Sequence, residues 1–352
     1  MDKKHVFFIG TLRQGGGERV ISILSKKMRE DGLPVEVLIY YDEDPFYTLH
    51  PEVTLMRVEA QTGSRNILKN MLWMRRYFKN NADVVISFLA PFNMLALAAT
   101  LFLKVPIIVA DRNDPRFVPF RPLLRKARDF LYRFADGVVL QTRHNQQYFC
   151  KSIQKKSTVI YNPVDLGEKA GQALRTEKKP RIVSVGRLMP QKNQKMLLDA
   201  FVRLHQQHPD YTLTIYGEGP ERQALEEQIA HLGLTGAVEL PGSVKDVHDR
   251  IMDAELFVLP SDYEGMPNAL IEAMCLGLPV ISTKVSGATD LIDGTNGMLT
   301  RVGDTDELYD AMQRMLADED LRRACGEKAV ELNAKLQAEK ILAQWTAFID
   351  AV

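Results

Sequence analysis

Cysteine is scarce in this chain, which has only Cys150, Cys275 and Cys325 among its 352 residues. An odd number of widely spaced cysteines forms neither a disulfide framework nor a pair of metal ligands. A signal peptide is not evident either, because Met1–Lys4 leads directly into the strand-like run His5–Gly10 without a long apolar core. We therefore expect a protein of the reducing cytoplasm.

Long uninterrupted apolar runs are also missing. The longest apolar stretch, Phe92–Ala110, is broken by Lys104 and Pro106, and it fits a buried helix followed by a strand better than a membrane span. Hydrophobic residues make up 45% of the chain and charged residues 26%, without a biased tract. This composition is typical of an ordinary soluble enzyme and argues against a disordered or fibrous protein.

Patterns that bind metal ions are scarce as well. Of two Asp-X-Asp triplets, Asp42–Asp44 lies in a polar segment and Asp318–Asp320 at the acidic start of a predicted helix, so we interpret both as solvated charge. The histidines show no paired ligand spacing. Five of them are interpreted as surface or hydrogen-bonded side chains: His144, His205, His208, His231 and His248. We expect no essential metal and no cofactor.

The net charge of zero conceals an uneven distribution. Residues 1–160 hold 25 Lys and Arg against 15 Asp and Glu, a net charge of +10, and residues 161–352 hold 20 against 30, a net charge of −10. Such asymmetry often means that one half faces an anionic partner, and a membrane surface, nucleic acid or a phosphorylated substrate would fit.

Short apolar runs alternate with helical patterns along the whole chain. The first half contains HVFFIG, VEVLIYY, DVVISFLA, PIIVAD, GVVLQT and a further strand-like STVIY, and the second contains RIVSVGR, TLTIYGEG, AVELPG, LFVLPS and PVIST. This alternation predicts an α/β protein with two doubly wound parallel sheets. We predict a first domain over residues 1–160, a linker over 161–180, a second domain over 181–332 and a closing helix over 333–352 that packs across both.

The strongest candidate site lies in the sequence LPSDYEGMPNALIEAMCLGLPVIST, which contains Glu264 and Glu272. A helix is predicted to begin near Met266–Pro267, and the free amides of Gly265–Asn268 at its positive end would bind phosphate. Glu264 then stands ahead of this anion site, within reach of a sugar, whereas Glu272 lies about two turns along and could accept hydrogen bonds from ribose hydroxyls. A capping glutamate and a solvated one are the alternative, which the apolar surroundings of Glu272 disfavour.

A second candidate is the segment SVGRLMPQKN, which places Arg187 just after a predicted strand and Lys192 five residues later. A guanidinium and an ammonium side by side suit a diphosphate, and they would stabilise the negative charge that grows on a leaving phosphate oxygen. Two surface basic residues beside a turn are the alternative interpretation.

Three consecutive glycines, Gly15, Gly16 and Gly17, lie between the first predicted strand and the first helix. Glycines let the backbone come close to a ligand. The spacing is not the dinucleotide fingerprint, because Gly10 is followed by four non-glycine residues, so a dehydrogenase is disfavoured. A plain tight turn remains the alternative.

Taken together, these motifs resemble glycosyltransferase family 4, retaining enzymes with the GT-B fold, in which two Rossmann-like doubly wound parallel-sheet domains face each other across a cleft. The resemblance covers essentially the whole chain. It rests mainly on the second-half motifs GR…QKN, EGMPNALIEAM…GLPVIST, a Gly-Ala-Thr-Asp-Leu-Ile segment and Asp293-Gly294…Asn296-Gly297.

The resemblance implies roles for particular residues. Arg187 and Lys192 would bind the donor diphosphate, Glu264 the donor sugar and Glu272 the ribose, while Gly242 and Val244 would flank the base. The implied donor-binding positions are Gly15, Gly16, Gly17, Gly186, Arg187, Lys192, Gly242, Val244, Glu264, Gly265, Met266, Pro267, Asn268 and Glu272.

One position departs from the family. Many members carry a histidine near the reacting sugar after the fourth strand of the first domain, and the corresponding segment Ile107–Pro115 contains none. Asp111, Arg112 and Asn113 are the candidates for its place beside the catalytic residues Glu264, Arg187 and Lys192. The sequence does not choose among them.

Two basic and aromatic segments point to the acceptor. Residues 65–79 hold five basic residues and no acid, and residues 112–133 hold seven basic residues and two acids, interleaved with aromatics and leucines. Such segments bind anionic membrane surfaces, so a polyprenyl-diphosphate-linked acceptor at the inner face of the cytoplasmic membrane fits them. Amphipathic helices with solvated basic faces are the alternative. No nucleic-acid recognition motif is present, and we expect no nucleic-acid partner.

We predict a metal-independent, retaining glycosyltransferase of the hexosyltransferase type. It would move a hexose or N-acetylhexosamine from a nucleoside-diphosphate sugar, with uridine favoured over guanosine, to a glycan or lipid-linked acceptor in cell-surface polysaccharide or glycoconjugate synthesis. A nucleotide-sugar epimerase on the same scaffold is one alternative, which the basic first half argues against. A non-catalytic nucleotide-sugar-binding partner is the other, and the missing histidine is its only support.

Overall fold

The computed structural model describes residues 3–13 and 15–352, and these form two units. The first runs up to Asp165 and also contains Leu336–Val352, whereas the second comprises Leu166–Lys335. The division at Asp165 lies inside the segment that the sequence suggests as a linker.

The first unit is built on a seven-stranded sheet whose neighbouring strands all run parallel, in the order β3-β2-β1-β4-β5-β6-β7. Its strands are β1 (His5–Ile9), β2 (Val35–Ile39), β3 (Thr54–Arg57), β4 (Val84–Phe88), β5 (Ile107–Ala110), β6 (Gly137–Leu140) and β7 (Ser157–Val159). Its helices up to Asp165 are α1 (Gly16–Glu30), α2 (Val58–Thr62), α3 (Ile67–Asn81), α4 (Ala90–Thr100), α5 (Pro122–Leu131), α6 (Arg143–Tyr148) and α7 (Lys151–Gln154).

The second unit has a six-stranded parallel sheet in the order β10-β9-β8-β11-β12-β13. Its strands are β8 (Lys179–Val185), β9 (Thr212–Tyr216), β10 (Val238–Gly242), β11 (Ala254–Leu259), β12 (Val280–Thr283) and β13 (Met298–Thr300). The helices that follow β8 are α8 (Gln194–Gln207), α9 (Arg222–His231), α10 (Val247–Ile251), α11 (Asn268–Leu276), α12 (Ser286–Leu291), α13 (Thr305–Ala317), α14 (Glu319–Val330) and α15 (Asn333–Leu336). The prediction of two doubly wound parallel sheets is confirmed.

The central strands are apolar because both faces of each sheet are covered. Every residue of β1 and of β4 is buried. Helix α1 turns its apolar side, with Val20, Ile21, Leu24 and Met28, inward, which is the spacing expected of an amphipathic helix. The stretch from Phe92 to Ala110 forms a buried helix and a strand, as its interruptions predict.

The chain ends in helix α16 (Ala338–Asp350), which contributes to the first unit. Its Trp345 is fully buried and stacks on Phe88 at the end of β4, with ring centroids 5.7 Å apart. An ion pair of 2.9 Å joins Glu339 to Lys27 of α1. No helix of the part of the chain that is described is long and apolar enough to cross a membrane.

Candidate active site

The strand order of each sheet indicates where a ligand would bind. In the second unit the order turns back between the neighbouring strands β8 and β11, so the loops that follow them diverge from a crevice at the carboxyl edge. The β8–α8 loop carries Arg187 and Lys192, and the β11–α11 loop carries Glu264. The topology therefore brings the two strongest sequence motifs to one place.

Glu264 is the most tightly held residue of this site, with only 7% of its surface exposed. Its Oε1 atom forms an ion pair with the Lys192 ammonium group and accepts a hydrogen bond of 2.8 Å from the Ser261 hydroxyl. The Gln191 amide donates to Oε2 at 3.4 Å. A buried carboxylate needs such partners because desolvation penalises an unpaired charge. Lys192 and Glu264, which the sequence assigns to different parts of a donor, thus form one charged pair.

The two loops are joined by their backbone and by Asn193. The Asp262 amide donates to the Gln191 carbonyl at 2.9 Å, and the Asn193 side chain donates to Asp262 Oδ1 at 2.7 Å. Asn193 has a φ of 47°, a left-handed conformation that asparagine tolerates better than most residues. Its side chain also caps α8 by accepting from the Met196 amide. These hydrogen bonds hold the two loops, and with them Lys192 and Glu264, in fixed positions.

Arg187 lies at the open edge of the same loop. Its carbonyl accepts a hydrogen bond of 3.1 Å from the Gln194 side chain, which fixes the backbone. Its side chain is exposed, and among the residues described in the structure none hydrogen-bonds or ion-pairs with the guanidinium group. Arg187 is therefore available to an anionic ligand.

Glycines make the close backbone approaches around this crevice possible. A Cβ atom on Gly217, which has a φ of +148°, would lie 1.9 Å from the carbonyl oxygen of Gly186. A Cβ on Gly287 at the start of α12 would lie 2.5 Å from the Gly265 carbonyl oxygen. Gly217 and Gly287 support the site, and neither was assigned a role from the sequence, because the close approach depends on elements distant in sequence.

Helix α11 begins at Asn268 and follows the buried segment Gly265–Pro267. Pro267 takes the position just before the first helical residue rather than a place in the first turn, and its carbonyl accepts from the amides of Leu270 and Ile271. The predicted start near Met266–Pro267 is correct to within about a residue. The positive end of α11 therefore lies directly after Glu264.

Glu272 lies in the second turn of α11 and is buried, with 7% of its surface exposed. The His248 Nε2 atom is 2.9 Å from its Oε2 atom. Gly242 is buried with a φ of +87°, and Val244, in the loop before α10, is half-buried. His248 follows this loop in sequence, which was the one available signal that it belongs near the site.

In the first unit, the three glycines lie at the start of α1, two of them inside the helix. Gly15 is the residue before the helix, and Gly16 begins it. Gly17 is buried, and a Cβ atom there would lie 3.5 Å from Leu89 and 3.8 Å from Arg112. The start of α1 therefore comes close to the segment that follows β5.

Asp111 is completely buried inside the first unit. Its Oδ2 atom accepts a hydrogen bond of 3.2 Å from the Tyr132 hydroxyl and lies 3.9 Å from the Arg128 guanidinium. Burial raises the pKa of the Asp111 carboxyl, and the charge of Arg128 acts against that rise. This position favours a structural role for Asp111 over catalysis.

Arg112 and Asn113 differ from Asp111 in their surroundings. The Arg112 guanidinium lies over the rings of Phe88 and Trp345, at 4.9 and 5.4 Å from their centroids, and donates to Asn162 Oδ1 at 3.0 Å. Burial lowers the pKa of Arg112 to about 9. Asn113 is half-buried, and its backbone carbonyl accepts a hydrogen bond of 3.3 Å from the side-chain amide of Asn145. Asn113 is thus the least buried of the three candidates.

The two acidic triplets are engaged in local contacts. Asp42 and Asp44 lie 3.6 and 3.4 Å from the Arg57 guanidinium, and Asp318 caps α14 by accepting from the Leu321 amide. Over residues 3–13 and 15–352, no cluster of three or more His, Cys, Asp or Glu could hold a metal ion. Metal independence stays a prediction.

Two family models match the chain. Residues 14–168 match the model described as Glycosyltransferase Family 4, and residues 167–332 match the model described as Glycosyl transferases group 1. A relative from Campylobacter jejuni, N-acetylgalactosamine-N,N'-diacetylbacillosaminyl-diphospho-undecaprenol 4-alpha-N-acetylgalactosaminyltransferase, is 30% identical over 344 residues, 92% of each chain. A second from the same organism, GalNAc-alpha-(1->4)-GalNAc-alpha-(1->3)-diNAcBac-PP-undecaprenol alpha-1,4-N-acetyl-D-galactosaminyltransferase, is 27% identical over 358 residues, 98% of each chain.

The fold is also found among solved structures. Anabaena HepE in complex with UDP and glucose superposes with a TM-score of 0.85 at 20% sequence identity, over 99% of this chain and 100% of that chain. The fold and the two loops that follow β8 and β11 define a glycosyltransferase of the GT-B class. The chain belongs to glycosyltransferase family 4, as its 30% identity to a nearly full-length relative shows. The resemblance seen in the sequence is confirmed.

Proposed function

We propose that this glycosyltransferase is a retaining, metal-independent enzyme that moves a hexose or N-acetylhexosamine from a UDP-sugar to a polyprenyl-diphosphate-linked glycan. The observation that carries the proposal is the ion pair of half-buried Lys192 with buried Glu264, beside the exposed Arg187 and the start of α11. The names of the two Campylobacter jejuni relatives give N-acetylgalactosamine transfer to undecaprenol-linked glycans. The HepE complex with UDP and glucose supports uridine as the base.

The second-unit residues would divide the donor among them. Arg187 and Lys192 would bind the diphosphate, together with the amides at the start of α11. Glu264 would accept hydrogen bonds from hydroxyls of the transferred sugar, and Glu272 from the ribose. Because Lys192 and Ser261 already fix the Glu264 carboxylate, little further conformational entropy would be lost when it binds the sugar.

The proposed reaction is a displacement with retention at the anomeric carbon. The bond from this carbon to the diphosphate oxygen breaks, and its electron pair leaves with UDP. The acceptor hydroxyl oxygen forms the new bond from the same face, and its proton passes to the departing phosphate oxygen. The cations Arg187 and Lys192 would stabilise the charge that grows on UDP, which is the step at which fixed electrostatics lower a barrier most.

Calorimetric titration of UDP, GDP, ADP and NAD in the presence of EDTA tests the donor site. We expect wild type to bind UDP more tightly than the other three, and Glu272→Ala to weaken UDP binding by about tenfold or more, because the ribose loses a charged acceptor. Glu227→Ala, which replaces an exposed glutamate of α9, is the control and should bind UDP as wild type does.

The alternatives make different predictions for the same samples. NAD binding alone, or no nucleotide binding together with no effect of Glu272→Ala, would contradict the donor site. Transfer of sugar from a UDP-sugar to a polyprenyl-diphosphate-linked glycan would exclude a non-catalytic binding partner. Interconversion of the donor sugar without an acceptor would instead support an epimerase.

The first unit carries a surface that fits an anionic membrane. Large apolar side chains are exposed on α3, α5 and their neighbouring loops, and Phe102 and Leu123 are 92% and 76% exposed. The remaining members are Ile67, Leu68, Leu72, Phe117, Phe120, Leu124, Phe130 and Phe134. All of them except Phe102 and Phe134 lie within segments 65–79 and 112–133, interleaved with the basic residues there. Exposed apolar groups among cations support binding at the inner face of the cytoplasmic membrane.

Sedimentation with lipid vesicles tests this surface. At low salt the protein should bind vesicles containing anionic lipids, and high salt should release it because charge attraction is screened. The double substitution Phe120→Ser, Leu123→Ser should weaken binding by about tenfold, since two apolar side chains are lost from the interface. Val302→Ser, in the second unit, is the matched control. Failure of wild type to bind anionic vesicles at low salt would rule the surface out.

A further inference from the structure

Helix α10 makes a specific contact with the predicted ribose-binding residue. The His248 Nε2 atom lies 2.9 Å from Glu272 Oε2, and the two side chains are only 18% and 9% exposed. An ionised carboxylate accepts hydrogen bonds and donates none, so the hydrogen of this bond must belong to His248 Nε2. His248 therefore acts as the donor to Glu272.

The position of α10 gives this contact a meaning beyond local packing. The helix begins at Val247, three residues after Val244, so it directly continues the loop that is predicted to flank the base. The neighbouring charged residues of α10 are paired elsewhere, Asp249 with Lys169 at 2.6 Å and Arg250 with Asp246 at 2.9 Å. His248 thus connects α10, which follows the loop of Gly242 and Val244, to Glu272 of α11.

A hydrogen bond that fixes a glutamate side chain in advance favours ligand binding. The long glutamate side chain has many rotamers, and each must be given up when a ligand is bound in one geometry. A second residue that fixes the carboxylate beforehand lowers that cost and sharpens the geometry. A carboxylate offers about four acceptor positions on two oxygens, and the bond from His248 uses one of them.

We propose that His248 is a positioning residue for the nucleoside half of the donor: it fixes the Glu272 carboxylate for the ribose hydroxyls and holds it in register with the loop of Gly242 and Val244. The inference rests on the proposed function, because it takes the ribose of a nucleoside-diphosphate sugar as the ligand of Glu272.

Three substitutions at His248 test the hydrogen bond itself. His248→Phe and His248→Ala remove the donor, the second without adding bulk, and we expect each to raise the Kd for UDP by about tenfold, the usual scale of a hydrogen bond to a charged group. His248→Gln keeps an N–H donor and should stay within about threefold of wild type. The same variants should raise the donor KM and leave kcat nearly unchanged, because the contact of His248 is with Glu272, the proposed ribose-binding residue.

A double-mutant cycle with Glu272→Ala separates positioning from a structural role. If His248 acts through Glu272, His248→Ala should weaken UDP binding little further once the carboxylate is gone. His231→Ala, at an exposed histidine of α9 in the same unit, is the control and should leave UDP affinity unchanged.

Several results would overturn the inference. Additive losses in the cycle, or equal losses for the Gln, Ala and Phe variants, would mean that His248 serves structure alone. UDP binding that responds to Glu272→Ala but to no substitution at His248 would reject this inference and leave the proposed function standing. Absence of nucleoside-diphosphate binding by wild type would reject both.

Discussion

Replacement of Lys192 by methionine is expected to lower kcat by about 10²- to 10³-fold, the effect of removing one charge-stabilising group from a transition state. Lys192 contributes in two ways. Its ammonium group would face the departing diphosphate, and in the structure it holds the Glu264 carboxylate. Methionine keeps most of the volume of lysine but none of its charge, so the loss isolates electrostatics from packing.

Steady-state kinetics with a UDP-sugar donor and a lipid-linked acceptor would measure this effect. A parallel fall in kcat and kcat/KM would show that the lost interaction belongs to the transition state. Lys195→Met is the matched control, because this lysine lies three residues later, is half exposed and pairs with Glu221 at 2.7 Å. We expect the control to stay within about twofold of wild type. Activity of the Lys192 variant within about threefold of wild type would contradict the assigned role.

Replacement of Arg128 by methionine is expected to destabilise the protein by about 3–5 kcal/mol, the scale for removing one partner of a buried charge pair. Arg128 is completely buried and faces Asp111 at 3.9 Å. Its guanidinium also donates to the carbonyls of Pro115 and Val118 at 3.1 and 2.5 Å. Methionine would remove the positive charge that faces the Asp111 carboxylate and the hydrogen bonds to both carbonyls, while the Tyr132 hydroxyl would still donate to Asp111.

The pH dependence of this loss has a defined sign. Because burial already raises the pKa of the Asp111 carboxyl, the folded state holds its proton more strongly than the unfolded state. The contribution of Asp111 to stability is therefore greatest below the ordinary pKa of aspartate and falls as the pH rises towards the raised folded value. Without the charge of Arg128 that fall should be larger, so Arg128→Met should be less destabilising in acid than at neutral pH.

Urea unfolding of single and double variants would measure both effects. Adding Asp111→Asn to Arg128→Met should recover part of the lost free energy of unfolding, because the uncompensated charge is removed. Lys126→Met, at an exposed position of the same helix, should change the free energy of unfolding by less than about 0.5 kcal/mol. A double variant that is no more stable than Arg128→Met would show that the charge of Asp111 is not the cause.

The central strands could be predicted from sequence because burial on both faces forces them to be apolar. Eleven apolar runs correspond to strands of the two sheets. The strands β3 and β13, which lie at edges of their sheets, were not predicted from the sequence. Residues Thr54–Arg57 of β3 are partly exposed throughout, and an edge strand needs less apolar character than a buried one. Their pairing is set by neighbouring strands and leaves little trace in their own sequence.

The site could be predicted only where its residues lie in one continuous motif. Glu264 and Glu272 were recognised from a single strand, loop and helix. The ion pair between Lys192 and Glu264 forms because β8 and β11 are neighbouring strands. The contact between His248 and Glu272 forms because α10 packs against α11. Neither pairing follows from spacing, because side chains of separate elements meet only when the sheet has formed.

The arrangement of the first unit has a consequence for the order in which the protein folds during synthesis. The second unit is a continuous segment, Leu166–Lys335, so all of its residues have been made before the first unit is complete. The first unit still waits for Leu336–Val352, whose Trp345 is one of its fully buried side chains. Until Leu336–Val352 have left the ribosome, Phe88 lacks its stacking partner and the apolar side of α16 is absent. The unit that begins before the other along the chain is therefore completed after it, in contrast to the usual order of domain folding.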